Sequence, residues 1–237
     1  MKYLDISKYQ PVVKYDLLKS DGIDGVFIRA VSTDKNGLYI DPYFDTHYSG
    51  CKAAGVPVGA YIFSYATTAA EVDTELNMLF KRLAGKKFEL PIVFDYETKY
   101  NSMSKQDRTT LIKYACNVIQ KHGYYAMYYT YKNFIDSYLY RDQLTAYDLW
   151  IAAYTAVKPA QALYNNYGIW QYTSTGNISA VRGNVDLSHV YKDYPTIIKK
   201  AGLNGYGGDP EPVPEPLDVK KELIKIKDQI SALIDKL

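Results

Sequence analysis

The sequence has little of what marks several common classes of protein. It contains two cysteines, Cys51 and Cys116, and three histidines in a chain of 237 residues. Their positions show no metal-ligand spacing, so we expect two buried free thiols and neither a metal nor another cofactor. No apolar run approaches the ~20 residues that a membrane-spanning helix needs. The net charge of +2 comes without a cluster of lysines and arginines, which argues against a nucleic-acid partner.

Two further features are missing near the start of the chain. The first ten residues, MKYLDISKYQ, lack the apolar segment of a secretory signal, so we expect synthesis in the cytoplasm without a signal peptide. The loop after the first predicted strand reads SKYQP instead of a glycine-rich phosphate turn, which argues against a nucleotide-binding fold. By contrast, tyrosine is abundant, with 26 residues. Rings that carry a polar group suit both core packing and contact with sugar faces.

Eight strand-like segments precede residue 191. Each of the first five leads into a segment of helical length, and the last three are separated by connections that lack a strongly amphipathic helix. Strands that alternate with helices favour a parallel α/β sheet, and eight strands suffice to close a barrel with a filled interior. An open doubly wound sheet is the alternative. The segments are residues 2–7, 25–31, 57–65, 90–97, 124–131, 148–154, 167–174 and 184–190.

Local signals support several of the helices. Thr68 and Glu71 form a capping-box pattern ahead of an apolar face, and Gly85 suits the position after that helix. Residues 104–123 repeat this design. Between the first two strands, apolar residues at positions 12, 13, 17 and 18 have helical spacing, so a helix is predicted there as well.

The stretch LPIVFDYE, residues 90–97, ends a predicted strand with two acidic residues. Because strand side chains alternate between faces, Asp95 and Glu97 share one face. Asp5 lies near the end of the first strand and Asp186 within the eighth, and strand ends meet at one mouth of a barrel. Glycoside hydrolysis requires two carboxyl groups, one protonated and one ionised. The four acids are therefore candidate catalytic residues, although two acids can also end a strand that simply runs into solvent.

Aromatic and amide side chains accompany these acids at the predicted strand ends. They could form the walls of a sugar-binding groove, although each ring could also pack in the core. Trp170 is expected to belong to the core. The candidates for substrate binding are Tyr61, Tyr65, Tyr129, Trp150, Tyr154 and Gln171.

An ordered set of motifs runs through about residues 1–200. It begins with LDISKYQ and continues through DPYF, AAGVPVGAYIFSY, PIVFDYE, YYTYKNF, LWIAAY and IWQYTS to NVDLSHV. With these motifs the chain resembles the glycoside hydrolase family 25 lysozymes, the Chalaropsis-type N-acetylmuramidases, which are common among bacteriophage endolysins. The resemblance implies a flattened TIM-like barrel of five βα units plus three strands. It also implies hydrolysis of the β-1,4 bond between N-acetylmuramic acid and N-acetylglucosamine in peptidoglycan.

By motif, the resemblance implies a role for each acid. Glu97 would be the general acid, and Asp95 would stabilise positive charge, either directly or by orienting the N-acetyl group of the substrate. Asp5 and Asp186 would hold this pair and adjust its protonation. Two departures stand out. Many members have a histidine at the position of Ile62, which we expect to face the helices. Many members also have an acidic residue followed by glycine after the second strand, and the segment RAVSTDKNG lacks this pair.

The resemblance further implies that an endolysin of this kind acts at the bacterial cell wall after release, with a holin opening the membrane. Two other functions stay open. One is a non-catalytic barrel that binds cell-wall glycan, although retention of all four acids argues against it. The other is a hydrolase of a related polymer such as chitin.

The composition changes after Gly208, where the sequence DPEPVPEP begins. We expect a catalytic domain over residues 1–208, a proline-rich linker over 209–216 and a C-terminal amphipathic, coiled-coil-like helix over 217–237. A helix of this length is marginal alone, so we expect it to form a homo-oligomer; docking on its own barrel or on a missing C-terminal domain is the alternative. The heptad positions are Val219, Leu223, Ile226, Ile230, Leu233 and Leu237.

Overall fold

The computed structural model describes residues 1–34, 36–99 and 103–207. Within these ranges the chain forms one nine-stranded sheet with five α-helices around it. The strands are β1 Lys2–Ile6, β2 Gly25–Asp34, β3 Gly37–Ile40, β4 Val58–Ser64, β5 Ile92–Tyr96, β6 Ala126–Tyr131, β7 Asp148–Ala152, β8 Ile169–Ile178 and β9 Val181–Val190. The helices are α1 Phe44–Ala53, α2 Ala69–Leu83, α3 Lys105–Lys121, α4 Lys132–Tyr138 and α5 Tyr194–Lys200.

Eight of the strands close into a barrel, as the sequence predicts. Their order is β1-β9-β8-β7-β6-β5-β4-β2, and the parallel pairing of β1 with β2 completes the circle. Strand β3 forms a hairpin with β2 and lies outside the closed barrel. This hairpin occupies the segment that lacks the acidic-glycine step, and it was not among the predicted strands.

The expectation of a wholly parallel barrel is wrong for its last strand. Strand β9 runs antiparallel to both β1 and β8. Only residues 179 and 180 separate β8 from β9. So short a connection can join antiparallel strands but is too short for the crossover that parallel strands require.

The helix predicted between the first two strands is also wrong. The structure has a single 3-10 turn at Tyr15–Leu17. Val13 instead forms an isolated antiparallel bridge with Val181, and the backbone N–H of Lys14 donates to the carbonyl of Ala180 at 2.8 Å. Val13 and Leu18 are buried in this extended segment, whereas Val12 is exposed.

The two helices predicted from capping boxes are confirmed. The capping box of Thr68 and Glu71 begins α2, and Ser104 with Asp107 forms a second one at α3. Gly85 and Gly123 follow these helices with φ values of 71° and 77°, which an L side chain rarely adopts.

Strand parity divides the core in two. Val93 belongs to the cluster inside the barrel, whereas Phe94 and Ile62 belong to the cluster between barrel and helices, as expected for both strands. Cys51 and Cys116 are buried free thiols in the outer cluster, again as predicted.

Helix α5, which the sequence reading did not anticipate, contributes Tyr194 and Ile198 to the inner cluster and closes the barrel at the N-terminal ends of its parallel strands. The open end is therefore the one where those strands terminate. Among the described residues, no helix is long and apolar enough to cross a bilayer. The predicted linker at 209–216 and helix at 217–237 lie outside the described residues.

Candidate active site

A cavity of about 330 Å³ opens at the C-terminal ends of the parallel strands. All four acids singled out from the sequence line it, together with five of the six candidate binding residues. The lining consists of Asp5, Ile6, Ser7, Tyr9, Gln10, Arg29, Tyr61, Phe63, Val93, Asp95, Glu97, Tyr129, Trp150, Tyr154, Gln171, Ser174 and Asp186.

Strands β1, β5 and β9 bring the four acids together. Asp95 is the penultimate residue of β5 and lies on the same inward face as Val93, and Glu97 follows directly after the strand. Asp5 on β1 is paired directly opposite Asp186 on β9. Because β9 is antiparallel, Asp186 reaches the mouth from the middle of its strand.

Burial raises the pKa of every one of these carboxyl groups. For Asp5 the neighbouring charge of Asp186 adds to the effect of burial, and for Asp95 the charges of Glu97 and Asp5 do so. The pKa of Glu97 is raised first by burial and then by the charge of Asp186. Like charges crowded in a low dielectric cannot all ionise, so the site holds protons that isolated carboxyl groups would release.

A hydrogen-bonded network orients Asp5. The Gln171 amide donates from Nε2 to Asp5 Oδ2 at 3.1 Å. Its Oε1 accepts from the hydroxyl groups of Tyr129, at 2.9 Å, and Tyr154, at 2.8 Å. Because two phenol groups donate to the amide oxygen of Gln171, its amide nitrogen faces the carboxylate of Asp5. Tyr129, Tyr154 and Gln171 together therefore hold Asp5 in position.

Asp95 is constrained less completely. It is buried, and its Oδ1 has no hydrogen-bond partner among the described residues. Burial raises the pKa of Asp95, but the positive charge of Arg29 opposes this rise. An unpartnered buried oxygen is costly unless something else binds there, which makes it a candidate contact for a ligand.

The aromatic candidates differ in exposure. Trp150 is 3% exposed, its ring lies 4.6 Å from Phe27 and 5.0 Å from Tyr129, and its Nε1 donates to Ser188, so it forms the floor of the cavity. Tyr154 is 56% exposed at the rim.

Tyr65 lies just beyond β4 with its ring 5.1 Å from Phe63, and it is not among the lining residues. Its pKa is raised first by burial and then by the charge of Glu97, so it lies within electrostatic reach of the site. Trp170, expected in the core, packs in the outer cluster.

Comparison with known proteins agrees with this arrangement. Residues 4–181 match the glycosyl hydrolases family 25. The chain belongs to this family.

Among curated relatives of this family-25 chain is the autolytic lysozyme of Clostridium acetobutylicum, 29% identical over 192 residues. The alignment covers 79% of this chain and 55% of the relative, so the chain spans little more than half of that protein's length. Among solved structures, the CTP1L endolysin is similar with a TM-score of 0.72 and 28% identity, covering 84% of this chain and 69% of the other. The catalytic domain of endolysin ply40, from bacteriophage P40 of Listeria monocytogenes, has a TM-score of 0.65 and 27% identity over 84% and 96% of the two chains.

Sequence reasoning missed part of the lining of this family-25 cavity. Arg29 had a recognisable signal, because it is a charged residue inside the apolar run GVFIRAV and shares the inward face with Phe27. Val93 and Phe63 lie on inward faces that strand parity also predicts, and the remaining ones come from the first loop, the end of β1 and strand β8. The missed residues are Ile6, Ser7, Tyr9, Gln10, Arg29, Phe63, Val93 and Ser174. No group of His, Cys, Asp or Glu in the described ranges is placed to hold a metal ion.

Proposed function

We propose that the chain is a muramidase that hydrolyses the β-1,4 bond between N-acetylmuramic acid and N-acetylglucosamine in bacterial peptidoglycan. The observation that carries this proposal is the set of four carboxyl groups with raised pKa values in one aromatic-walled cavity. Membership of glycosyl hydrolases family 25 and similarity to a protein named as a lysozyme and to endolysins support it.

In this proposal Glu97 is the general acid. It follows the end of β5, and burial together with the charge of Asp186 raises its pKa. A carboxyl group that keeps its proton close to the working pH can donate it to the glycosidic oxygen as the bond to the leaving sugar breaks. Asp186 thus acts on the reaction by keeping Glu97 protonated.

Asp95 is then the carboxylate that faces the positive charge developing at the anomeric carbon. It does so either directly or by accepting a hydrogen bond from the N-acetyl group and aligning it for attack. Its unpartnered Oδ1 supports this role, and so does Arg29, whose positive charge favours the ionised form of Asp95. The proposed reaction requires Glu97 to be protonated and Asp95 to be ionised.

Asp5 and Asp186 complete the set as supporting acids. They are opposite each other on paired strands, and the charge of Asp186 raises the pKa of Asp5 above its ordinary value. A proton shared by this pair would limit the negative charge next to Glu97. Asp5, held by Gln171, is therefore a positioning residue in the proposal.

Sugar binding is assigned to the aromatic walls. Because the hydroxyl groups of Tyr129 and Tyr154 already donate to Gln171, their rings remain for contact with sugar faces. Tyr61 and Trp150 line the inner part of the cavity, and Tyr65 would serve at its edge.

The finer biological setting is also part of the proposal. Residues 1–208 would act as the catalytic domain, 209–216 as the spacer and 217–237 as the oligomerisation helix, giving multivalent attachment to a polymeric wall. Action at the bacterial cell wall would follow release through a holin-type lesion. Sedimentation of chains ending at Gly208 and at Leu237 tests the oligomer, since identical monomer masses would contradict it.

The function itself is tested by release of reducing ends from purified peptidoglycan and from chitin. We expect activity on peptidoglycan, with a loss of about 10²-fold or more for Glu97→Gln because a general acid contributes at least that much. Glu89→Gln, the same change at the opposite end of the barrel, is the control and should keep its kcat. Comparable activity on chitin would identify a broader glycan hydrolase, and binding without hydrolysis would identify a wall-binding barrel.

A further inference from the structure

One wall of the cavity carries positive charge, opposite in sign to the four acids. Arg29 lines the cavity from β2 and is only 7% exposed. Its Nε donates to Asp41 at 2.9 Å, while its Nη2 has no hydrogen-bond partner among the described residues. A buried guanidinium with a donor left over is costly, so this donor is a candidate contact for a ligand.

Asp41 holds this wall in place. Its Oδ2 accepts from Arg29 and from the backbone N–H of Lys8 at 2.9 Å, and its Oδ1 accepts from the backbone N–H of Tyr43 at 3.0 Å. Both oxygens are therefore occupied by fixed donors. The same carboxylate thus sets the orientation of the Arg29 side chain and the path of the loop at Lys8.

Next to Arg29 lie the lining residue Tyr9, a second ring, Tyr39, and a second cation, Lys8, which is not itself among the lining residues. Tyr9 is 73% exposed, and its ring centroid lies 5.2 Å from the guanidinium carbon of Arg29 and 5.7 Å from Nζ of Lys8. Lys8 Nζ also lies 4.4 Å from the ring centroid of Tyr39, on the β2–β3 hairpin. Two cations therefore flank one exposed aromatic ring at the edge of the cavity.

We infer that Lys8, Tyr9 and Arg29 form a subsite for the carboxylate of the lactyl ether on the muramoyl sugar. This inference rests on the proposed muramidase function. An anionic substituent is repelled by the four acids, so a substrate that carries one is oriented with it toward the cationic wall. A charge-assisted hydrogen bond to guanidinium or ammonium is the strong kind, and the Tyr9 ring offers an apolar face to the lactyl methyl group.

The subsite would make this cavity favour muramoyl glycan whose lactyl carboxylate is free. Chitin has no acidic substituent, so on chitin the Arg29 donor would stay unpaired and the orientation would be lost. In peptide-bearing strands the same carboxyl group is an amide, which can accept a hydrogen bond but has no charge.

The test uses the full chain and glycan strands stripped of their peptides, whose lactyl carboxylates are free, compared with the same strands after amidation of those carboxylates. We expect KM of the wild-type enzyme to be roughly tenfold lower on the carboxylate form, the size of effect typical of one charge-assisted contact. Lys8→Gln should raise KM on the carboxylate form and leave KM on the amidated form unchanged, with kcat changing little. Lys121→Gln, the same charge change at the far end of α3, is the control and should behave as wild type.

The outcomes separate the two proposals. No hydrolysis of any strand by the wild type would remove the proposed function itself. Hydrolysis with equal KM on both forms, or an equal rise of KM on both forms in Lys8→Gln, would overturn the subsite. On peptide-bearing strands the variant should have the same KM as the wild type. A rise of KM there as large as on stripped strands would mean that the residues bind carboxylates of the peptide stem, and it would also overturn the lactyl assignment.

Discussion

At the closed end of the barrel, Glu89 accepts hydrogen bonds from Lys52, Tyr206 and the backbone N–H of Val58, whereas at the open end Asp95 keeps an oxygen without a partner in the described structure. Both carboxyl groups are buried. Burial alone would raise the pKa of Glu89, but the bonds from Lys52, Tyr206 and Val58 outweigh it and hold that pKa below its usual value. At the open end nothing outweighs burial for Asp95, and its pKa rises.

Asp148 also accepts several hydrogen bonds at the closed end. It lies at the start of β7 and accepts hydrogen bonds from Tyr125 at 2.8 Å, from Tyr194 at 3.0 Å and from Lys192. These partners tie β6, β7 and α5 together where the barrel is closed. The acids of this end are thus part of what holds the fold.

The acids at the closed end of the barrel stabilise the fold, whereas the acids at the open end are suited to catalysis. Acids with complete sets of donors stabilise the structure in their ionised form. Acids crowded together without such donors cost stability, and such clusters concentrate at functional sites because catalysis needs shifted protonation states. Matching substitutions at the two ends should therefore have opposite consequences.

The largest expected effect is on activity at the open end. Asp95→Asn removes the charge that faces the developing positive charge while preserving shape, so kcat on peptidoglycan should fall by about 10²-fold or more. Circular dichroism and Tm should stay close to wild type. A variant with kcat within a few-fold of wild type would contradict the assignment of Asp95.

The next effect is on stability at the closed end. Glu89→Gln replaces an ionised acceptor of three donors and should lower the free energy of unfolding by about 1–2 kcal/mol at pH 7. Since the folded pKa of Glu89 is lowered, its contribution is present above the unfolded pKa and is lost as pH falls through the folded pKa. The gap between the wild-type and variant denaturation curves should therefore narrow on acidification, and a gap independent of pH would count against this account.

A smaller change in the free energy of unfolding, of opposite sign, is expected for Asp5→Asn. The amide can still accept from Gln171 but carries no charge, so the variant should be about 1 kcal/mol more stable than wild type at pH 7 while losing activity. Because the folded pKa of Asp5 is raised, the cost of this group grows as pH rises above the unfolded pKa and is absent below it. The stability gain should thus disappear at acidic pH; a destabilised variant at pH 7 would show that Asp5 is a structural acid like Glu89.

The smallest effect concerns the pH dependence of activity. Asp186→Asn removes the negative charge that, after burial, raises the pKa of Glu97. Glu97 would then lose its proton at a lower pH, and the basic limb of the kcat profile should move to lower pH. The acidic limb, set by ionisation of Asp95, serves as the internal reference, and an unmoved basic limb would mean that Asp186 does not tune the acid.

Features of the fold and of the site that depend on contacts between residues close in sequence could be predicted. Capping boxes at Thr68 and Ser104, helix ends at Gly85 and Gly123, and the alternation of side chains along residues 90–97 depend on neighbours within a few residues. Such short-range preferences are legible in the sequence. The order of strands and helices also predicted a closed barrel, because few topologies accommodate that order.

Contacts between distant segments were decided only by the tertiary structure. The two-residue turn before β9 reverses that strand and sets Asp186 opposite Asp5, and closure of β1 onto β2 brings Arg29 to the same cavity. The amide of Gln171 joins Tyr129 and Tyr154 to Asp5 across the barrel. The sequence by itself determined which residues carry acid chemistry and on which face of a strand they lie, because parity is local. Which acids share a cavity, which proton each one keeps and which donor stays unpaired depend on burial and on distances across the barrel, and these exist only once the chain has closed.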